Sequence, residues 1–265
     1  AAGPVLVASW LMLLGYARAP VLFGRVAPLV ALALTLLATL LLIGNLERPE
    51  RFLKVLFHPN LRSWLVWGAL ILVAYAGIAF LWVVAGIFGA GRLVWLLLWA
   101  GLILAFMAAG YSGFLLAQAR ARDLWQSRLL FPHLIVQSFV AGSALLVLGS
   151  LYLESGRPLT ELLFRCLLGG LCVHGVLVLS EMALPHGTRD ATEAVRYLVH
   201  GPLARSFWLG AVLGGIIVPI HFLAFYLAVP RFGAAFALAA AVLALVGLLS
   251  YQDCHVRAGQ ALPLS

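Results

Sequence analysis

The sequence predicts an all-α fold: a polytopic membrane protein of eight transmembrane helices, arranged as two four-helix bundles within one integral membrane domain over 1–265. Three observations predict it. Of 265 residues, 64% are hydrophobic and only 10% charged, whereas a soluble domain is about half apolar and about a quarter charged. Mean hydropathy is +1.08, and the apolar residues come in runs of about 20, enough to cross roughly 30 Å of hydrocarbon. At about 33 residues per span and connection, the length accommodates eight spans. A soluble enzyme, a disordered tail and a nucleic-acid-binding module are excluded together.

The spans read, in order, as Ala1–Tyr16, Val26–Ile43, Ser63–Phe88, Leu93–Ala119, Pro132–Tyr152, Leu159–Leu184, Phe207–Val229 and Phe232–Gln252. The chain opens with Ala1-Ala2-Gly3 in what reads as the middle of a span, with no initiator Met, so the start of the first helix is expected to be missing. Connections at 89–92 and 230–231 are short enough for helical hairpins only. Two longer connections predict helices of their own. After the second span, Pro49 suits a first helical position, and Phe52, Val55 and Leu56 share a face between Arg51 and Lys54, as in a helix lying in the interface. After the sixth, Asp190 with Glu193 resembles a capping box, followed by a stripe of Ala191, Ala194, Val195, Leu198 and Val199.

Charge separates the two sides. Connections after odd spans carry Arg18, Arg25, Arg92, Arg157 and Arg231. The other side carries Arg48, Arg51, Lys54, Arg62, Arg120, Arg122, Arg128, Arg189, Arg196, Arg205 and Arg257. The net charge of +8 is therefore a matter of topology, lipid headgroups or an acidic partner rather than of nucleic acid. The positive-inside rule puts the richer side in the cytoplasm, although a docked subunit would select the same surface. Cys166, Cys172 and Cys254 form no C-x-x-C pair and fall short of the four thiolates of a cubane cluster.

Polar groups at membrane depth are costly, so each needs a reason. Counting crossings, Glu47, His58, Tyr111, His133 and Glu181 fall at one membrane face. Glu47 with Arg48 or Arg51 reads either as an interfacial ion pair or as a proton-handling carboxylate. Tyr111, in Gly110-Tyr111-Ser112-Gly113, reads as an interfacial anchor, or as a hydroxyl with space beside it for a planar ligand. His58 and His133 each adjoin a proline at a helix boundary, where capping is the alternative to chemistry. Glu181 reads as a proton carrier or as the partner of a neighbouring Arg. His174 and His221 lie nearer mid-span, as members of a proton path with Glu181 and His133, as hydrogen-bonding groups between helices, or as axial ligands of a b-type haem.

The block Leu46-Glu47-Arg48-Pro49-Glu50-Arg51-Phe52, followed by Phe57-His58-Pro59-Asn60-Leu61-Arg62-Ser63-Trp64 and Trp67-Gly68-Ala69, resembles the helix 2–3 signature of the NrfD/PsrC family. These are membrane subunits of polysulfide, nitrite, tetrathionate and arsenate reductases. Ala1-Ala2-Gly3 is similar to that family's first-helix glycine motif, Tyr111-Ser112-Gly113-Phe114-Leu115-Leu116 to its helix 4 motif, and Glu181 through Pro185-His186 to its helix 6 exit.

The resemblance implies a haemless eight-helix protein of a bacterial or archaeal cytoplasmic membrane. It would hold a quinone, menaquinone or ubiquinone, near the face that docks a ferredoxin-like subunit with [4Fe–4S] clusters. That subunit would in turn serve a molybdopterin catalytic subunit. No haem and no iron–sulfur cluster is expected in this chain, and no metal site. Tyr111 would hydrogen-bond a quinone carbonyl and Glu47 would serve in its protonation, with His58, Gly110 and Gly113 in the same site. Arg48, Arg51, Arg62, Arg120 and Arg122 would dock the partner. The family's first-helix Asn/His quinone ligands would fall before Ala1. Two other classes stand beside this one: a b-type haem anchor, and a stand-alone transporter or proton channel.

Overall fold

In a bilayer a backbone must satisfy its own N–H and C=O groups, by helix or by closed barrel. Every regular element among the described residues is helical. The computed structural model describes residues 1–16, 20–44, 63–119, 121–153, 156–185, 187–229 and 235–261. The elements are α1 (Gly3–Leu13), α2 (Leu22–Gly44), α3 (Trp64–Ile87), α4 (Gly91–Ala117), α5 (Leu130–Tyr152), α6 (Arg157–Ala183), α7 (Arg189–Val199), α8 (Ser206–Ala228) and α9 (Ala235–Ala261). A single 3₁₀ turn, Asp123–Gln126, precedes α5.

Seven of these, α2–α6, α8 and α9, run 23 to 27 residues and are apolar enough to cross a membrane. At about 1.5 Å per residue the shortest reaches roughly 34 Å. Of the eight expected spans, seven are this long and apolar among the described residues, and the first is described as an apolar helix of 11 residues, α1. It stops at Leu13, short of the expected Tyr16, because Gly15 turns into the left-handed region at φ +90°. There Gly15 N–H donates to Met12 O and Tyr16 N–H to Leu11 O, both at 3.0 Å, closing the helix with a Schellman motif. Gly89, at φ +67°, ends α3 in the same way, and Ala90 N–H donates to Ala85 O at 2.9 Å. This is the expected hairpin into α4; the hairpin at 230–231 and the interfacial helix around Arg51–Leu56 lie outside the described residues.

Two further boundaries differ from expectation. The last helix does not stop at Gln252 but continues to Ala261. Its extra turns bury Cys254, His255, Ala258 and Gly259, and their exposed side is tied by Arg257 donating to Asp253 at 2.8 Å. At α7 the cap is Thr188, not Asp190: the Thr188 hydroxyl accepts from Ala191 N–H at 3.2 Å. Ala191, Ala194, Val195 and Leu198 form its buried stripe, as the spacing predicts.

The chain divides into two compact units, Ala1–Leu115 and Leu116–Ser265. In the first, α1–α4 pack around Val7, Leu11, Phe23, Tyr75 and Trp82. Gly101 of α4 lets the Trp82 ring lie against bare backbone. Helix α2 opens with a π-helical turn over Leu22–Val26. There Arg25 Nε donates to Gly86 O at 3.0 Å, and Gly24 and Gly86 meet backbone to backbone. Beyond that turn α2 buries only Ala27, Pro28, Ala31 and Thr35, and leaves Leu29, Leu36, Leu37, Leu40 and Leu41 exposed.

In the second unit, α9 packs on α8, α5 and α7, and α5 on α6. Gly215 of α8 and Gly247 of α9 touch at their Cα atoms, the close approach that small residues permit in membrane helices. Helix α8 is π-helical over Ser206–Ile217 and becomes α-helical at Val218, beside Pro219, which has no N–H to return to the preceding carbonyls.

Candidate functional site

Chemistry-bearing side chains gather in each unit. In the first, Tyr111 stands on α4 between Ala109, Gly110 and Gly113, all buried, and is itself half-buried. Its ring lies on Gly68 of α3: a Cβ there would sit 2.5 Å from Tyr111 Cε2 and 2.7 Å from Cδ2. One turn away on both helices, Trp64 and Phe114 stack at 4.8 Å with their planes 10° apart. The result is an aromatic surface made of a half-buried phenol beside a stacked pair that is 40% (Trp64) and 45% (Phe114) exposed. Such a surface suits a planar ligand bearing a carbonyl: the rings offer stacking and the phenol a donor.

Glu47 and His58 lie outside the described residues, as do Arg48, Arg51, Arg62 and Arg120. Arg122 is described: its Nη1 donates to Gln260 O at 3.1 Å, tying the segment before α5 to the end of α9. Tyr75 went unnoticed in the sequence. It is fully buried on α3, its hydroxyl 3.4 Å from the carbonyls of Ala1 and Ala2. Its signal was the 3-then-4 spacing Gly68, Ile71, Tyr75, which marks the packed stripe of α3.

In the second unit the structure brings together three predicted residues, His133 of α5 with His174 and Glu181 of α6, and adds Tyr251 and His255 of α9. All five are buried; Glu181, the most accessible, is 7% exposed. Tyr251 Oη lies 2.9 Å from His133 Nδ1 and 3.4 Å from Glu181 Oε2. His133 Nε2 lies 3.5 Å from the same Oε2, completing a ring of three groups. The His174 ring meets those of His133 and Tyr251 edge-on, at 5.8 and 5.2 Å between centroids, and His255 stacks on Tyr251 at 5.9 Å. Beside them, Gln252 of α9 donates to Gln137 of α5.

Several polar atoms here have no hydrogen-bond partner among the described residues: Glu181 Oε1, His133 Nε2, His174 Nδ1 and His255 Nε2. Buried polar atoms in this state are uncommon in native proteins, and four of them at one spot leave donors and acceptors that water or a proton can satisfy. A cleft of about 620 Å³ reaches Glu181, passing Asp123, Ser127 and Arg128 on one wall and Pro185, Thr188 and Ala191 on the other. His221 takes no part: it is exposed on α8, with its Nδ1 2.8 Å from the Ile217 carbonyl of its own helix. Among the described residues no three of His, Cys, Asp and Glu are placed to hold one metal ion.

A family model described as polysulphide reductase, NrfD, matches residues 1–263. A protein of Halobacterium salinarum, provisionally described as a membrane subunit of dimethyl sulfoxide reductase, is 28% identical over 235 residues, which is 76% of this chain and 53% of the relative. The chain thus spans about half the length of the curated relative it matches.

Proposed function

The chain belongs to the polysulphide reductase NrfD family, and from that premise we propose that it is the quinone-reactive membrane subunit of a multisubunit oxidoreductase. It is an integral multi-pass membrane protein, with seven helices fit to cross a bilayer among the described residues. In this reading α1 belongs to the same membrane part, giving eight apolar helices in a bacterial or archaeal cytoplasmic membrane. The catalytic metal stays on other chains: a molybdopterin subunit, reached through a ferredoxin-like subunit with [4Fe–4S] clusters. The observation that carries the reading is the Tyr111 surface, a phenol laid on Gly68 beside the Trp64–Phe114 stack.

The substrate is menaquinone or ubiquinone, which exchanges two electrons and two protons with its surroundings. Tyr111 would donate its hydroxyl proton in a hydrogen bond to one quinone carbonyl, which favours charge building up on that oxygen. Gly68, Gly110 and Gly113 would leave the ring face open, and apolar helices would take the isoprenoid tail. Glu47 would deliver or accept the proton at this face, with His58 beside it. Arg48, Arg51, Arg62, Arg120 and Arg122 would meet an acidic surface of the ferredoxin-like partner, bringing its nearest cluster within electron-transfer reach.

The test is made on the intact complex, purified through a tag on this chain. It should contain an iron–sulfur chain whose clusters are reduced by quinol, or reoxidised by quinone, at catalytic rates. Clusters that exchange electrons with soluble dyes but never with quinone, in a complex otherwise intact, would refute the reading.

A further inference from the structure

We propose that Glu181, His133 and Tyr251 form a proton-binding triad in the second unit, charged from the cleft through the Glu181 carboxylate. The site is built from residues of the second unit alone and does not depend on what the Tyr111 surface binds.

The geometry is that of a closed ring. Tyr251 has one hydroxyl proton and two acceptors in range, His133 Nδ1 at 2.9 Å and Glu181 Oε2 at 3.4 Å. With a neutral imidazole and an ionised carboxylate, two proton arrangements exist, and in both the Nε2–Oε2 side of the ring is a close contact rather than a hydrogen bond. In one, Tyr251 donates to Nδ1 while the Nε2 proton faces Oε2 across 3.5 Å. In the other, Nδ1–H donates to the phenol oxygen and the phenol donates to the carboxylate. Passing between them relocates protons without creating a charge. One additional proton, on the carboxyl or on the second ring nitrogen, is shared by all three groups.

A purely structural pair would look different. A carboxylate buried at a helix end is held by an Arg or Lys, or by donors to both oxygens. Among the described residues the ion-pair partner of Glu181 is His133, and Oε1 has no donor. The same side chain lines the cleft, whose volume of about 620 Å³ compares with about 30 Å³ for one water. It also lines a small recess with Tyr251 and His255. Glu181 therefore stands between an opening and the ring. The groups facing it are Asp123 and Arg128 from the cleft wall, His133 from α5, and Tyr251 and His255 from α9, while His174 of its own helix meets His133 and Tyr251. Helices α7 and α8 contribute Val195, Leu198 and Phe207, which are apolar. On charging, an O–H bond of a hydronium ion in the cleft breaks, an O–H or N–H bond forms in the ring, and water is released. No electron moves.

The experiment is infrared difference spectroscopy of the full chain in lipid nanodiscs, between alkaline and acidic buffer. The parent should show a protonated-carboxyl band rising together with imidazole and phenol bands. Glu181→Gln should lose that carboxyl band and the linked imidazole change completely, while Glu193→Gln, exposed on α7, and His221→Leu should retain both. Tyr251→Phe, nearly unchanged in volume, should keep the carboxyl band and lose its link to the imidazole; it decides the matter if Glu181→Gln does not fold. A carboxyl band that persists in Glu181→Gln, or an imidazole response unaltered in Tyr251→Phe, overturns the proposal.

Discussion

Gly68→Ala probes the Tyr111 surface without touching its hydroxyl. The added methyl would stand 2.5 Å from Tyr111 Cε2 and 2.7 Å from Cδ2, against about 3.5–4.0 Å for an ordinary carbon contact. The ring must withdraw by about 1 Å, which carries a hydrogen bond of normal length past the range in which it is useful. Such a bond is worth about 0.5–1.5 kcal/mol, so quinone-linked turnover should fall about 2- to 12-fold. Tyr111→Phe deletes the same bond by another route and should cost the same. The two changes act on one contact, so the double variant should be no worse than Tyr111→Phe alone. The assay is quinol- or quinone-dependent turnover of the intact complex over a range of substrate concentration, with thermal midpoints to confirm assembly. A Gly68→Ala complex with parental turnover, or single losses that multiply in the double variant, would refute the reasoning.

Two predictions concern the second unit. Thr188→Ala removes the cap of α7 and should cost about 0.5–2 kcal/mol, read as faster amide hydrogen exchange confined to 189–199, with Thr188→Ser restoring protection. Gly247→Ala places a methyl into the Gly215 backbone. With no flexible side chain to yield, its loss should reach or pass the upper end of the usual overpacking cost of about 1–3 kcal/mol. Thermal unfolding in lipid nanodiscs measures it, and a parental midpoint would show that the two helices part freely.

Much of the helical plan was legible because membrane spans announce themselves by uninterrupted apolar length, as in α3, which differs from its predicted bounds by a single residue at each end. The misreadings occur where polarity interrupts. The run Tyr251-Gln252-Asp253-Cys254-His255 looks like the end of a span. Yet Tyr251, Cys254, His255 and Ala258 keep a 3, 1, 3 spacing, and Asp253 and Arg257 satisfy each other on the outside. The spacing was readable; average hydropathy masked it. Asp190 looks the better cap than Thr188 because it opens a charged run, but only the backbone course decides which side chain meets the free N–H groups. The ring formed by His133, Glu181 and Tyr251 joins residues up to 118 positions apart. No local pattern encodes that meeting, and isolated histidines in apolar helices look alike, as His174 and His221 do until packing separates them.

The manner in which α2 is attached has a practical consequence for handling the protein. Its beginning is pinned at Arg25 and Gly24, while its remaining turns offer the bundle only a thin edge of small residues, and Thr35 spends its hydroxyl on the Ala31 carbonyl of the same helix, 2.7 Å away. Cohesion along that length therefore comes from the solvating acyl chains as much as from protein. A short-chain detergent should loosen α2, the least buried of the seven spans among the described residues, before the others, whereas native lipid or a long-chain amphiphile would keep it seated.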